Sequence, residues 1–140
     1  MSTEPLRPPT FDEDGWKLES GERRHADFPD SFQIPAREER ENLRPGLGAK
    51  LIFAIQVEEE DGALTIDTER MWVVVTEIVD GGYLGLLDNQ PSCLDPDGEQ
   101  YLVQGAEIPF RAEHVIDIDL IPQDALERMS LTPTRLWPRR

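Results

Sequence analysis

Met71-Trp72-Val73-Val74-Val75, then Asp80-Gly81-Gly82, then Tyr83-Leu84-Gly85-Leu86-Leu87 is the stretch that decides the fold. The first run is rich in β-branched and aromatic side chains, and it lacks the three-to-four spacing of a one-sided helix. The glycines between the two runs tolerate a positive φ, as tight hairpin turns require. The sequence therefore predicts a β-hairpin within residues 69–91.

Apolar side chains occupy both faces of the first predicted strand. One face carries Trp72, Val74 and Ile78, and the other carries Met71, Val73, Val75 and Val79. A strand that is apolar on both sides is typical of a position inside a sheet, with other elements covering both faces. We therefore expect this strand to be central rather than at an edge.

Several shorter runs predict further strands around the hairpin. They are residues 50–57, a short extended piece at 64–66, Tyr101-Leu102-Val103, residues 108–110 and residues 115–118. Pro109 suggests an edge or a bulge in its strand, because proline cannot donate to a sheet ladder. Short strands separated by tight turns, without strand-helix alternation, predict a small antiparallel barrel of about five strands. We expect a mainly β fold with one or two short helices (α+β), SH3-like rather than oligonucleotide-binding-fold-like.

Composition divides the chain into three parts. Residues 1–15 are predicted to be a disordered or loosely ordered leader, because they are polar and rich in proline. Residues 16–121 are predicted to form one β-barrel domain, including an irregular N-terminal arm whose scattered aromatics plug the barrel end. A short helix is predicted from Pro35 to Leu43. The C-terminal tail, residues 122–140, is expected to contain one helical turn and either to fold back onto the barrel or to hang free.

Negative charge is concentrated in the predicted barrel. The formal net charge is −15, and residues 48–121 carry 3 basic and 16 acidic side chains, a net of −13. Nucleic-acid binding draws on lysine and arginine, so this distribution disfavours a nucleic-acid partner. The excess of acids has two interpretations, solubility or recognition of a basic protein partner.

Bulk features also predict the setting of the protein. No apolar run is long enough to span a bilayer and no secretory leader is visible, so no membrane association is expected. Cys93 is the only cysteine, which excludes an intrachain disulfide and is consistent with a reducing compartment. We expect a cytoplasmic protein, and the sequence does not predict its oligomeric state.

No motif predicts catalysis, a cofactor or a metal. His114 lies beside Glu113, but further ligands at a workable spacing are absent, so a capping role or a place at the start of a strand is favoured. Cys93 has no surrounding nucleophile motif and is expected to be an inert thiol. No glycine-rich phosphate loop precedes a helix. We therefore predict no catalytic residue, no metal and no cofactor.

A resemblance to a known family adds to this interpretation. It rests on Arg70-Met71-Trp72-Val73 and Leu87-Asp88-Asn89-Gln90-Pro91, together with the segments around Gly15-Trp16, Lys50-Leu51-Ile52-Phe53 and Glu113-His114-Val115. These motifs resemble a family of small bacterial proteins known only as domains of unknown function, some of which are similar to immunity proteins of toxin systems. The resemblance covers about residues 15–121 and implies a bacterial cytoplasmic setting, with no catalytic residues to transfer.

Two functions remain open from the sequence. The first is a noncatalytic acidic protein-binding module, immunity-like or regulatory, that docks a basic partner. The predicted binding residues are Glu69, Arg70, Trp72, Tyr83, Asp88, Asn89, Gln90 and His114. Asp88 and Asn89 equally suit a simple turn leaving the strand, because both bond their own main chain. The alternative is a small-molecule-binding or hydrolytic domain with a site between arm and barrel that uses Trp16, Trp72 and His114.

Overall fold

The longest strand contains the first apolar run of the stretch from which the fold was predicted. A computed structural model describes residues 6–139 of the chain. The strands are β1 (Trp16–Leu18), β2 (Leu47–Glu58), β3 (Leu64–Val79), β4 (Gly82–Leu87), β5 (Glu107–Phe110) and β6 (Asp117–Leu120). The helices are α1 (Phe11–Asp14), α2 (Gly21–Asp27), α3 (Arg37–Arg40) and α4 (Gln123–Arg128), and a 3-10 turn spans Ala112–His114.

The six strands form one antiparallel sheet that curls into a half-barrel. Its order is β1-β2-β3-β4-β5, and β6 lies end to end with β1 along the same edge of β2. The predicted hairpin is confirmed as β3 and β4, with Val79 paired to Gly82 and with Gly81 at a φ of 76°. The prediction of a mainly β, barrel-like α+β fold is confirmed, with four short helices in place of one or two.

The inner face of the half-barrel holds the core. Alternate residues of β2 and β3 point into it, as the alternating pattern of residues 50–57 predicts. Leu51 pairs with Met71 and Ala49 with Val73, and all four are buried. The hairpin contributes Tyr83, Leu84 and Leu87, and β5 contributes Ile108 and Phe110.

The outer face is covered over most of β2 but at few positions of β3. Ile52 and Ala54 of β2 and Val74 of β3 point outward and are nonetheless buried, so the prediction that β3 is covered on both sides is confirmed at Val74. The prediction is wrong at Ile78, whose side chain is 59% exposed. The register of β3 on β4 shifts between Val75 and Glu77, so the last residues of β3 leave the regular alternation.

The N-terminal segment is more regular than expected. α1 and α2 begin after Thr10 and Ser20, whose hydroxyls accept hydrogen bonds from the backbone N–H groups of Glu13 and Arg23. Such bonds satisfy donors that a helix start leaves unpaired. Residues 6–15 were predicted to be loosely ordered, but Leu6 is 9% exposed and packs in the core; residues 1–5 lie outside the described part.

Arg40 ties this segment to the rest of the fold. The predicted helix in residues 35–43 is present as the shorter α3, and Arg40 at its end is 5% exposed. Its guanidinium donates to the carboxylate of Glu22 at 2.6 Å and to the backbone oxygen of Ala112 at 2.9 Å. One buried cation therefore joins α2, α3 and the 3-10 turn, because each of its donors needs an acceptor.

The C-terminal tail folds back and closes the open side of the half-barrel. The backbone N–H of Glu107 in β5 donates to the carbonyl of Arg135, and Trp137 is 2% exposed. The Trp137 ring lies 5.6 Å from that of Trp16 and 5.4 Å from that of Tyr101. Of the two alternatives for the tail, folding back is therefore the one observed, with aromatics from both chain ends filling the opening.

Candidate functional site

Four neighbouring strands bring charged and aromatic side chains into one row on the outer face. Lys50 of β2 pairs with Asp117 of β6 on one side and with Trp72 of β3 on the other. Asp88 follows β4 directly, and its backbone N–H donates to the carbonyl of Trp72 at 2.9 Å. Because paired residues point to the same face of a sheet, Asp117, Lys50, Trp72 and Asp88 lie side by side across the outer face.

The next row of residues along the strands forms the floor of a groove. It runs from Asp119 through Gly48 to Val74. A Cβ at Gly48 would stand 3.5 Å from both the Trp72 ring and the Asp119 side chain, so the missing side chain leaves open space between these groups. We call this depression, with a volume of ≈ 220 Å³, the Trp72 groove; it is lined by Gly48, Trp72, Val73, Val74, Asp88, Asp119, Ile121, Pro122 and Met129.

A second depression adjoins the Trp72 groove. The two share Val74, Asp88 and Met129 in their linings. The second has a volume of ≈ 390 Å³ and also contains residues of the C-terminal tail such as Leu131 and Thr134. Asp88 therefore stands between two compartments of one elongated, open groove that runs between the sheet and the tail.

Within the described part of the chain, Asp88 and Asp119 have no partner for their charge. Among residues 6–139, neither carboxylate accepts a hydrogen bond or forms an ion pair. Arg128, which lines the second depression, donates instead to Asp124 at 3.2 Å. Partial burial raises the pKa of Asp88 above its ordinary value, because desolvation disfavours the charged form. A cation placed in the groove would offset this cost.

Trp72 presents part of its indole to the groove. Its ring is half-buried, and the Lys50 ammonium lies 5.6 Å from the ring centroid. Its backbone is fixed at the edge of β3, because its N–H donates to Oδ1 of Asn89 at 2.9 Å. Tryptophan is the aromatic side chain that binds cations best. The groove thus combines an indole, two carboxylates and an apolar wall.

The other predicted site residues have structural roles outside this groove. The Glu69 carboxylate accepts the backbone N–H groups of Ser92 and Cys93 at 3.0 and 3.1 Å. Burial alone would raise the pKa of Glu69, but these hydrogen bonds outweigh it and hold the pKa below its ordinary value. Arg70 is exposed, and its guanidinium lies 5.2 Å from the Phe32 ring. Both residues therefore fasten neighbouring segments to β3.

Tyr83 and Gln90 are also occupied by the fold. The Tyr83 hydroxyl donates to the carbonyl of Arg40 at 2.8 Å and accepts from the Leu43 N–H at 3.2 Å. Gln90 Oε1 accepts from the Gln104 N–H at 3.3 Å. Of the eight predicted binding residues, the structure brings Trp72 and Asp88 to the groove, with Asn89 fixing the backbone beside them.

His114 has the capping role that its sequence position favours. Its Nδ1 accepts the backbone N–H of Arg111 at 2.9 Å, and its Nε2 lies 3.4 Å from the Glu113 carboxylate. Burial, with the positive charge of Arg111, lowers the pKa of His114 to about 4. The imidazole is therefore neutral at pH 7, and its acceptor nitrogen is already in use.

His114 is expected to make the folded state sensitive to acid. Its pKa is lower in the folded chain than the ordinary value of about 6.5, so the unfolded state binds its proton first. Its contribution to stability is therefore present above about pH 6.5 and is lost as pH falls towards 4, with a slope of about 1.4 kcal/mol per pH unit. Asn in place of His114 keeps an acceptor for Arg111, and urea melts between pH 7 and 4 should show a shallower pH dependence for this variant. Parallel curves for variant and parent would contradict the assignment.

Cys93 is not arranged as a nucleophile. Burial, together with the nearby Glu69 carboxylate, raises the pKa of its thiol to about 12. The reactive thiolate is therefore scarce at neutral pH. The residues of the alternative hydrolytic site are not brought together either: Trp16 lies in the core and Trp72 on the opposite face of the sheet, while His114 lines a different depression.

Sequence reasoning missed most residues of the groove, including those that β6 and the tail contribute. Asp119, Ile121 and Met129 reach the groove only through the pairing of β6 with β2 and the path of the tail. The alternation Asp117-Ile118-Asp119 was the one available signal, because it places two carboxylates on the same face of a strand. Within residues 6–139, no three His, Cys, Asp or Glu side chains are grouped as metal ligands. No helix of the described segment is both long and apolar enough to cross a membrane.

Comparison of the chain with protein-family models, with curated proteins and with solved structures found no match.

Proposed function

We propose that the protein is a noncatalytic protein-binding module whose Trp72 groove takes a basic segment of a partner protein. One observation carries the proposal: Asp88 and Asp119 line a groove beside the Trp72 indole, and neither has a hydrogen-bond or ion-pair partner among the described residues. A lysine or arginine side chain placed on the indole would lie between the two carboxylates. Its aliphatic stem would contact the apolar wall, as long cationic side chains commonly do.

The shape of the groove favours a chain segment over a small molecule. Pockets for drug-sized ligands are usually enclosed and have roughly 300 to 1,000 Å³ in a single cavity. The Trp72 groove has ≈ 220 Å³ and continues past Asp88 into the second depression. An extended peptide could place one side chain in each compartment, which is a common mode of peptide recognition.

The charge distribution supports a basic partner. The net charge of −13 over residues 48–121 would attract a basic surface and raise the association rate, an effect that salt screens beyond about 8 to 10 Å. An immunity-like or regulatory role in a bacterial cytoplasm is part of the proposal. It rests on the resemblance of the Arg-Met-Trp-Val and Leu-Asp-Asn-x-Pro motifs and on the lone Cys93, and a toxin gene beside its own would strengthen it.

The test uses a defined probe in the groove. Acetyl-Gly-Arg-Gly-amide should bind and shift the Trp72 indole resonance, whereas the peptide with neutral citrulline should bind more weakly. The double variant Asp88→Asn, Asp119→Asn should lower the affinity for the arginine peptide about fivefold to tenfold, because each exposed ion pair contributes up to about 1 kcal/mol. Its melting temperature should not fall, because neither carboxylate stabilises the fold through a partner.

A matched control distinguishes the effect of the groove carboxylates from that of the overall negative charge. Asp95→Asn with Asp97→Asn removes the same charge from an exposed loop outside the groove. This control should leave the peptide affinity nearly unchanged at 150 mM salt, where distant charges are screened. Equal weakening by both double variants would assign the effect to net charge and remove the groove as the binding site. A partner captured from the native cell should likewise lose affinity in the groove variant.

A further inference from the structure

β3 has a long stretch that borders a strand on one side only. It pairs with β2 from Leu64 to Val74 but with β4 only from Val73 to Val79. Residues 64–70 therefore form an edge of the sheet. The other edges within residues 6–139 are short or covered: β1 and β6 have three and four residues, and β5 meets the tail at Arg135.

Hydrogen bonds at the two ends of this stretch establish which backbone groups point outward. The Ala63 carbonyl accepts the Glu59 N–H, so the backbone N–H and C=O of Ala63 point towards β2. The Trp72 carbonyl accepts the Asp88 N–H, so the backbone groups of Trp72 point away from β2. Backbone direction alternates along a strand, and the register between these residues is unbroken. The N–H and C=O groups of Leu64, Ile66 and Thr68 therefore point outward, and no described residue bonds them.

This edge lacks most of the features that usually block pairing. Residues 64–68 contain no proline, glycine, lysine or bulge, and Asp67 is their one charged side chain. Leu64 and Ile66 are 65% and 57% exposed. Long, regular edges with apolar side chains readily accept another strand, and most proteins protect such edges with charges, proline or bulges. An exposed edge of this kind is the usual platform for strand addition.

We propose that the residue 64–70 edge binds an extended, alternately apolar and basic segment of a partner protein as an added strand. On the outer face, Leu64 and Ile66 offer apolar contacts to alternate side chains. On the other face, Asp67 favours lysine or arginine, and the acidic turn at residues 59–61 adds negative charge at the end of the strand. A second copy of the chain is a poor occupant, because it carries the same excess of negative charge over residues 48–121. The edge is separate from the Trp72 groove, so the inference does not depend on the groove's function.

The test uses a labelled synthetic peptide of alternating valine and lysine. It should bind, and hydrogen exchange of the Ile66 and Thr68 amides should slow in the complex. The same peptide with N-methyl groups on alternate residues, which removes its donors on one edge, should bind at least about tenfold more weakly. A valine-glutamate peptide should also bind more weakly. Equal binding of the N-methylated peptide would overturn the proposal, because strand addition requires backbone hydrogen bonds.

Variants of the protein provide a second test. Ile66→Pro removes an outward N–H without breaking a β2–β3 bond, since proline is tolerated at sheet edges; Ile66→Thr changes the side chain but keeps the N–H. The proline variant should lose most of the peptide affinity and the threonine variant should keep more of it, while Asp88→Asn with Asp119→Asn should leave it unchanged. Loss in the groove variant alone would reassign the peptide to the Trp72 groove. Self-association of the parent chain that Ile66→Pro abolishes would identify a second copy as the occupant and overturn the proposal.

Discussion

Replacing Trp137 by alanine is expected to lower the free energy of unfolding by about 3 to 5 kcal/mol, the usual cost of truncating a buried tryptophan. The side chain is 2% exposed and packs edge-on against the rings of Trp16 and Tyr101. Its indole N–H also donates to the carbonyl of Arg7 at 3.1 Å. The alanine variant would leave a cavity between the chain ends and would remove a donor from that carbonyl.

Trp72→Ala is the matched comparison, because it removes the same side chain from the groove. Trp72 is half-buried, so its truncation should cost only about 1 to 2 kcal/mol by the apolar area it exposes. Urea melts followed by circular dichroism measure both losses. A larger loss for Trp72 than for Trp137 would contradict this expectation, because it would mean that the groove indole is packed more tightly than the indole of the tail.

The strands could be predicted where the sequence alternates. In residues 50–57 the apolar residues Leu51, Phe53 and Ile55 recur at every second position, and all three lie in the core. The hairpin was predicted from its glycine turn. Both signals are local, because period and turn chemistry depend on neighbouring residues only. The strand order of the half-barrel and the course of the tail depend on contacts between distant residues, and no local pattern specifies them.

The short helices were harder to predict. α2 has the sequence Gly-Glu-Arg-Arg-His-Ala-Asp, which has no apolar stripe. It is held instead by the Ser20 cap and by the contact of Gly21 with Ile116, where a Cβ would come within 2.7 Å of the isoleucine methyl. Conversely, Tyr101-Leu102-Val103 has strand composition but forms no strand. There Tyr101 and Leu102 are placed by packing in the core, and tertiary contacts outweigh the local preference.

The candidate site was predictable only where local sequence patterns reveal it. Trp72 and Asp88 stand out in the sequence as an aromatic residue and a carboxylate within or directly after an apolar hairpin. The opening beside them depends on Gly48, and the second carboxylate depends on the pairing of Asp119 with Gly48. Strand register is decided by which faces are buried in the finished sheet. Sequence reasoning therefore found one side of the groove and missed the other.

Glu107→Ala is expected to cost about 2 to 4 kcal/mol, because this carboxylate holds the tail in place. Glu107 is 4% exposed, and its Oε1 accepts the backbone N–H of Trp137 at 2.9 Å. The two oxygens also accept a forked pair of hydrogen bonds from Arg139 at 2.9 and 3.0 Å. Most of the cost should come from the buried Trp137 N–H, since the Arg139 side chain is 44% exposed and can turn into solvent.

Glu107→Gln distinguishes the hydrogen bond from the charge. Glutamine keeps an oxygen for the Trp137 N–H, so it should cost only about 1 kcal/mol. Glu77→Gln is the control for the exposed side of the network, where Arg139 lies 3.7 Å from the Glu77 carboxylate, and it should change stability by less than about 0.5 kcal/mol. Because Glu107 acts through Trp137, the losses of Glu107→Ala and Trp137→Ala should not add in the double variant. Additive losses in urea melts would show that the carboxylate and the indole stabilise the fold independently. The tail would then not be held in place as one cooperative unit.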